Sequence, residues 1–215
     1  VEPHDSHETH DMTIEKGQPW GTEGVAPHDL VVARDEEAAA RAVAHGSRHI
    51  ALRNGDLLTA LGSSAPTNEL RIGGRCRLLP FDAYEVTLSV RGRSASTLAV
   101  STVLIGGTRR PAWWFTAGGF VGNLNVAPNS HPNDGRADAL EWSRLGLRQV
   151  VAIRRRMRMG DHLPHPALHT VRGESVTWQS PRAAESVSID GRAWGRADHV
   201  TVTVRPDAFV LCVPN

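Results

Sequence analysis

The side chains with the clearest chemical potential in this sequence are aspartates set next to glycines. Ser188-Ile189-Asp190-Gly191-Arg192 puts a carboxylate at a hairpin turn. There it either serves the turn, Asp-Gly being a strong hairpin signal, or acts as a base or ligand-holding group. Residues 117–138 carry Gly118-Gly119, Asn123, Asn125, Asp134-Gly135 and Asp138. Asp134 and Asp138 offer the oxygen chemistry that a divalent cation takes, and they equally suit a turn and the start of a strand. Asn123 and Asn125 lie beside glycines on an expected strand, either as the polar wall of a cleft or as turn residues. His162-x-x-His165-x-x-x-His169 has metal-like spacing, but Pro164 and Pro166 make its backbone a constrained loop with no evident fourth ligand. His4, His7 and His10 could chelate a metal, although a solvated polar tail is the simpler reading.

Residues 143–159 hold Arg144, Arg148, Arg154, Arg155, Arg156 and Arg158. Leu147, Val150, Val151 and Met157 fall roughly on one helical face of the same segment. Such a basic helix is either a solvated outer surface or a surface attracted to anionic lipid. Nucleic acid is disfavoured, because no aromatic side chains interleave the arginines. Several common chemistries are excluded outright. The single lysine, Lys16, sits in no phosphate loop, and no nucleophile elbow, His-Glu-x-x-His or dinucleotide fingerprint occurs.

The elements that must position these groups change character along the chain. With 215 residues, 40% of them hydrophobic and 22% charged, the chain belongs to the globular class. Two cysteines exclude a disulfide scaffold. Residues 1–37 carry ten acids against Lys16 and Arg34, whereas the remainder is strongly basic. Residues 1–27 read as polar tail and loop. Residues 28–62 read as a small α/β segment: a strand over 28–33, a helix over Glu36–Ala44 capped by Asp35, a strand over His49–Leu52 and a short helix over 57–61. From residue 70 to 215 the pattern is β, with strands expected over 84–90, 97–105, 113–117, 124–127, 137–142, 175–179, 185–190, 199–205 and 209–213. One helix, 143–159, interrupts them. The expected class is therefore mainly β (α+β): a two-layer β-sandwich with one basic helix and a small N-terminal α/β remnant. No secretory signal or membrane span is readable, so the expected location is the cytoplasm, peripheral to the membrane if the basic helix engages lipid.

Residues 117–138 resemble the C-terminal half of bacterial diacylglycerol kinases and related lipid kinases. In those proteins a Gly-Gly-Gly run leads to Ala-Pro and then Asp-Gly-x-x-Asp, matched here by Gly118-Gly119, Ala127-Pro128, Asp134-Gly135 and Asp138. Asp190-Gly191-Arg192 resembles the family's Asp-Gly-Glu, followed by a strand, Pro206 and a final strand. Residues 54–62, Asn-Gly-Asp-Leu-Leu-Thr-Ala-Leu-Gly, resemble Gly-Asn-Asp-x-x-Arg-x-Leu-Gly. The resemblance runs from Asn54 to the end and implies the β-sandwich that the family shares with NAD kinases. It also implies Asp190 as general base, a ligand bordered by Gly118, Gly119, Asn123, Asp134 and Arg192, and Mg²⁺ at Asp134 and Asp138.

The same resemblance exposes differences. Complete enzymes of the family hold ATP on a separate α/β domain with a Gly-Gly-Asp-Gly-Thr loop. Here Gly73-Gly74, Gly106-Gly107 and Gly118-Gly119 all continue otherwise, Arg192 replaces the Glu, and residues 31–61 look like a remnant of the nucleotide domain. Phosphoryl transfer depends on positioning and neutralising the nucleotide, so the missing loop argues against ATP. The expectation is a lipid-kinase-like protein that binds a lipid or phosphate-bearing ligand with weak or no kinase activity alone. An active lipid kinase using Asp190, or a peripheral binder of anionic surfaces, is the alternative. Expected partners are a lipid or anionic membrane surface, a second copy of the chain, or a separate nucleotide-binding protein.

Overall fold

Runs of β-branched and aromatic residues, punctuated by glycine, favour extended backbone over most of the chain. The computed structural model describes residues 19–62, 70–107 and 109–214; the histidines at 4, 7 and 10 and the stretch between the expected α/β segment and residue 70 lie outside the described residues. The N-terminal part forms β1 (Thr22–Val25), β2 (Val31–Ala33), α1 (Glu36–Ala44), β3 (His49–Leu52) and α2 (Asp56–Ala60). There follow β4 (Arg75–Val90), β5 (Arg93–Ala99), β6 (Thr102–Gly107), β7 (Arg110–Thr116), β8 (Phe120–Val121), β9 (Leu124–Asn125) and β10 (Ala137–Trp142). The last part is α3 (Leu147–Met157), β11 (Leu168–Gly173), β12 (Ser175–Gln179), β13 (Glu185–Ile189), β14 (Arg192–Ala197) and β15 (His199–Pro214).

Two sheets face each other. In the first, the order is β1-β4-β15-β3-β2, with β5 also paired to β4 and β12 to β15. In the second it is β11-β10-β7-β6-β13-β14. The antiparallel pair β4–β15 is the spine of the first sheet. β3 pairs parallel to β15 at Val210 and Leu211, so the small α/β segment extends the same sheet. Alternation decides what each strand buries. Val200 and Val202 on β15, Val103 and Ile105 on β6, and Trp113 and Phe115 on β7 point into the shared core. Tyr84 meets Phe115 edge-on with centroids 4.6 Å apart. The opposite face of the second sheet carries Trp114, Leu140 and Trp142, which α3 covers with Val150, Ile153 and Met157.

Several expected boundaries shift, each for a local reason. The single strand expected over 97–105 is two strands in different sheets, because the chain crosses from the first layer to the second at Val100-Ser101. The strands expected over 199–205 and 209–213 are one strand with an irregularity between Arg205 and Phe209, where Asp207 takes φ +49°. β1, β11 and β14 form where no clear apolar alternation marks them; β14 is exposed along most of its length. The helix expected over 143–159 spans Leu147–Met157, and Gln149 closes its start by accepting the Gly146 N–H at 3.0 Å. Its face is also rotated from expectation: Leu147 and Val151 are exposed, and the missing inward position is filled by Ile153. No helix among the described residues is long and apolar enough to cross a membrane.

The irregularity in β15 is held by a buried acid on β4. Asp82 accepts the Asp207 N–H at 3.0 Å and the Gly135 N–H at 2.9 Å, while its own N–H donates to Pro132 at 2.9 Å. One side chain thus ties β4, β15 and the 132–136 loop together. Removing it leaves two amides without an acceptor in a poorly solvated place. Asp82→Ala is expected to lower unfolding free energy by about 2–4 kcal/mol in urea titrations, with an unchanged circular-dichroism spectrum before the transition.

Candidate functional site

The turn between β13 and β14 brings the first candidate into place. Ile189 pairs with Arg192, leaving Asp190 (φ +47°) and Gly191 (φ +78°) as a two-residue turn with both φ angles positive. Asp-Gly suits that geometry, since Gly carries no Cβ penalty and Asp tolerates the left-handed region. Asp190 is nevertheless no ordinary turn residue, for it is buried. Its carboxylate accepts the N–H groups of Val100, Ser101 and Thr102, each at 2.9 Å. Its own N–H donates to Thr102 at 2.9 Å. Those three amides are the crossing between the two sheets.

A second buried acid lies close by. Glu36, the first residue of α1, turns its side chain inward, and Oε1 accepts the Leu57 N–H at the start of α2 at 2.8 Å. The closeness of Gly55 makes this possible. A Cβ on Gly55 would sit 2.6 Å from Glu36 Oε1, and its φ of +142° is one that L side chains rarely adopt. Burial pushes the Glu36 carboxyl up to about 8, with the charges of Asp56 and Asp190 adding to the rise. Burial likewise raises Asp190 to about 7, although the three backbone amides oppose it. Asp56 is raised by burial as well, and its Oδ1 accepts the Gly122 N–H at 2.8 Å.

Outside these acids an open cleft of about 620 Å³ separates the start of α1 from the Asp190 turn. Its rim is a set of arginines that already have acidic partners. Glu37 Oε1 takes Arg41 at 2.5 Å and Arg192 at 2.7 Å, and Arg34 reaches Asp35 at 2.8 Å. Asp35 also caps α1 by accepting the Ala38 N–H at 2.9 Å. A helix start normally attracts anions; this one is filled with the chain's own carboxylates. A smaller hollow of about 200 Å³ adjoins the cleft, with Ala40, Ala44, Leu98 and Trp194 forming a largely apolar wall.

The remaining sequence candidates fall elsewhere. Gly118 packs against α2, where a Cβ would meet Ala60 at 2.8 Å. Gly119 takes φ +83° and faces the Ala127 carbonyl, which a Cβ would approach to 2.6 Å. Both glycines therefore fit close backbone approaches. Asn123 is exposed at the tip of the β8–β9 hairpin and does not line the Asp190 cleft. Asp134 and Asp138 do converge, but on Arg172: its guanidinium bonds Asp134, and Nε lies 3.4 Å from Asp138. An Mg²⁺ ion between these two carboxylates would have to displace that guanidinium. Among the described residues no group of three or more His, Cys, Asp or Glu is arranged to hold a metal. His162 is buried against the Val126 carbonyl at 3.0 Å and His165 accepts the Ala167 N–H at 3.1 Å, so these two serve local structure, while His169 lies exposed on β11. Sequence reasoning placed Asp190 and Arg192 at the cleft but missed Glu36 and Glu37. Their only signal was two acids after a capping aspartate, which reads as ordinary helix-end electrostatics.

The two sheets, their connections and the Asp-Gly turn can be compared with known proteins. Residues 72–213 match the model of the YegS C-terminal NAD kinase β-sandwich-like domain. The chain belongs to this family. Solved structures agree on the fold. Two candidate diacylglycerol kinases from Bacillus anthracis str. Sterne superpose with TM-scores of 0.57 and 0.53 at 13% and 12% identity. The alignments cover 87% and 86% of this chain and 77% and 78% of those chains, respectively. No curated protein sequence matches this chain.

Glu36 and Asp190 hold their protons more tightly folded than unfolded. Their contribution to stability is complete below the unfolded carboxylate range and is lost as pH rises toward 7–8. Half-buried His131 and buried His162, whose values are lowered by desolvation, act in the opposite sense and lose stability as pH falls. Glu36→Gln keeps the acceptor for Leu57 and removes the charge, so its melting temperature should exceed wild type at pH 8.5 and converge with it near pH 5. In the same thermal scans Gly119→Ala should lower the melting temperature at every pH, because both its φ and the Ala127 carbonyl resist a Cβ.

Proposed function

We propose that this chain is a lipid-kinase-like module that binds a phosphate-bearing ligand, such as a lipid headgroup, and has little or no phosphoryl-transfer activity alone. One observation carries the reading: the helix start facing Asp190 holds Asp35, Glu36 and Glu37, where a nucleotide's phosphates would need amides and cations. A triphosphate entering there would meet the carboxylates of Asp35 and Glu37 beside the mostly protonated Glu36. A single phosphate group at the outer rim meets Arg41 and Arg192 instead, after displacing Glu37 from them. The apolar hollow beside Trp194 suits the first carbons of an attached chain.

A second reading has its own support. A carboxyl raised to about 7 at a cleft is in the range suited to a general base. The engagement of both its oxygens by backbone amides favours a structural duty over that role. Calorimetry with Mg-ATP and an assay for phosphorylated diacylglycerol separate the two. The expected outcome is no saturable ATP binding at millimolar nucleotide and no lipid product. Submillimolar ATP binding with lipid phosphorylation that Asp190→Asn abolishes would establish the kinase instead. The ligand side is tested with lysophosphatidate. Glu37→Gln, which frees two arginines, should tighten binding about tenfold, and Arg192→Gln should weaken it by a similar factor.

A further inference from the structure

The outer face of α3 brings exposed apolar side chains and arginines together. Its inner side is committed, with Val150, Ile153 and Met157 packed on Trp114, Leu140 and Trp142. The outward side still presents Leu147 and Val151, which are 59% and 43% exposed, and Met159 just beyond the helix is 77% exposed. Interspersed with these apolar groups are Arg144, Arg148, Arg155 and Arg158, all exposed. None of the four makes an ion pair with another described residue. Residues 143–160 contain no acid at all. Leu147, Arg148, Val151, Ala152 and Arg155 together line a shallow open hollow along the helix.

Apolar groups and unpaired guanidiniums place opposite demands on a partner. A dry apolar protein surface would satisfy Leu147 and Val151 but leave the arginines desolvated and unpaired, which is costly. Plain water satisfies the arginines and leaves the apolar groups exposed. The headgroup boundary of an anionic bilayer meets both demands, with hydrocarbon below and phosphates at the level that a long Arg stem reaches. We propose that this face of α3 docks on anionic membrane, with Leu147, Val151 and Met159 entering the acyl boundary and Arg144, Arg148, Arg155 and Arg158 meeting lipid phosphates. The surface lies on a different element from the cleft and does not depend on the ligand assigned there.

The test is vesicle binding of the full chain. Phosphatidylcholine vesicles containing 0, 20 or 40% phosphatidylserine are used at 50 and 300 mM NaCl. Binding should be weak without phosphatidylserine, rise steeply with it, and fall at least tenfold at the higher salt. Arg148→Gln, Arg155→Gln and Arg158→Gln should each weaken it about fivefold. Leu147→Ser combined with Val151→Ser should weaken it at least severalfold while unfolding like wild type, since both residues face outward. Cys76 and Cys212 are buried, so Val151→Cys gives a selective site for an environment-sensitive dye. Its emission should shift to the blue on vesicles. Binding that is indifferent to phosphatidylserine, or unchanged in both sets of variants, overturns the proposal. So does tight binding of polyglutamate with no dye shift on vesicles, which would assign the face to an acidic protein.

Discussion

A single carboxylate accepting three consecutive amides organises this molecule. Where the chain leaves the first sheet at Ala99 and joins the second at Thr102, its N–H groups have left one ladder before entering the next. Buried amides without acceptors are costly. Asp190 supplies the acceptor for all three and returns its own N–H to Thr102. The two layers are fixed to each other at this point, and the cleft beside it inherits its shape from them. The positive φ that presents the carboxylate inward is the one a tight Asp-Gly turn already demands, so turn chemistry and interlayer clamping are met by one residue.

That arrangement sets the electrostatics around it. Burial disfavours the charged form of Asp190, and Glu36 beside it is disfavoured further by its acidic neighbours. The arginines at the rim face Glu37 and Asp35, leaving the start of α1 dominated by acids that the fold itself supplies. The family's β-sandwich thus carries an acid-lined cleft beside the Asp190 turn.

Much of this was legible from residue order, and the losses have physical causes. Glu36–Ala44, His49–Leu52, Ala137–Trp142 and Ser175–Gln179 form as their caps and patterns indicate. The crossing at Val100-Ser101 was hidden because a β-branched residue inside a β-rich run reads as more strand; the acceptor that turns it lies ninety positions away. β14 was hidden because an exposed edge strand has no buried face to impose alternation. Helix α3 was legible as a helix but not in rotation. Four apolar residues fit one face by spacing, and only the sheet beneath decides that Ile153 goes in while Leu147 stays out. Among site residues, Asp190 announced itself through its glycine. Glu36 did not, since its partner Leu57 is twenty-one positions away.

The contact between Glu36 and Gly55 constrains how the cleft could change over generations. A side chain at position 55 would press its first carbon against the Glu36 carboxylate and would also strain the backbone, whose φ of +142° suits glycine. Shortening Glu36 would free the Leu57 amide and vacate the space. The two positions are therefore coupled: loss of the glutamate would remove the contact, yet the backbone at position 55 would still favour glycine.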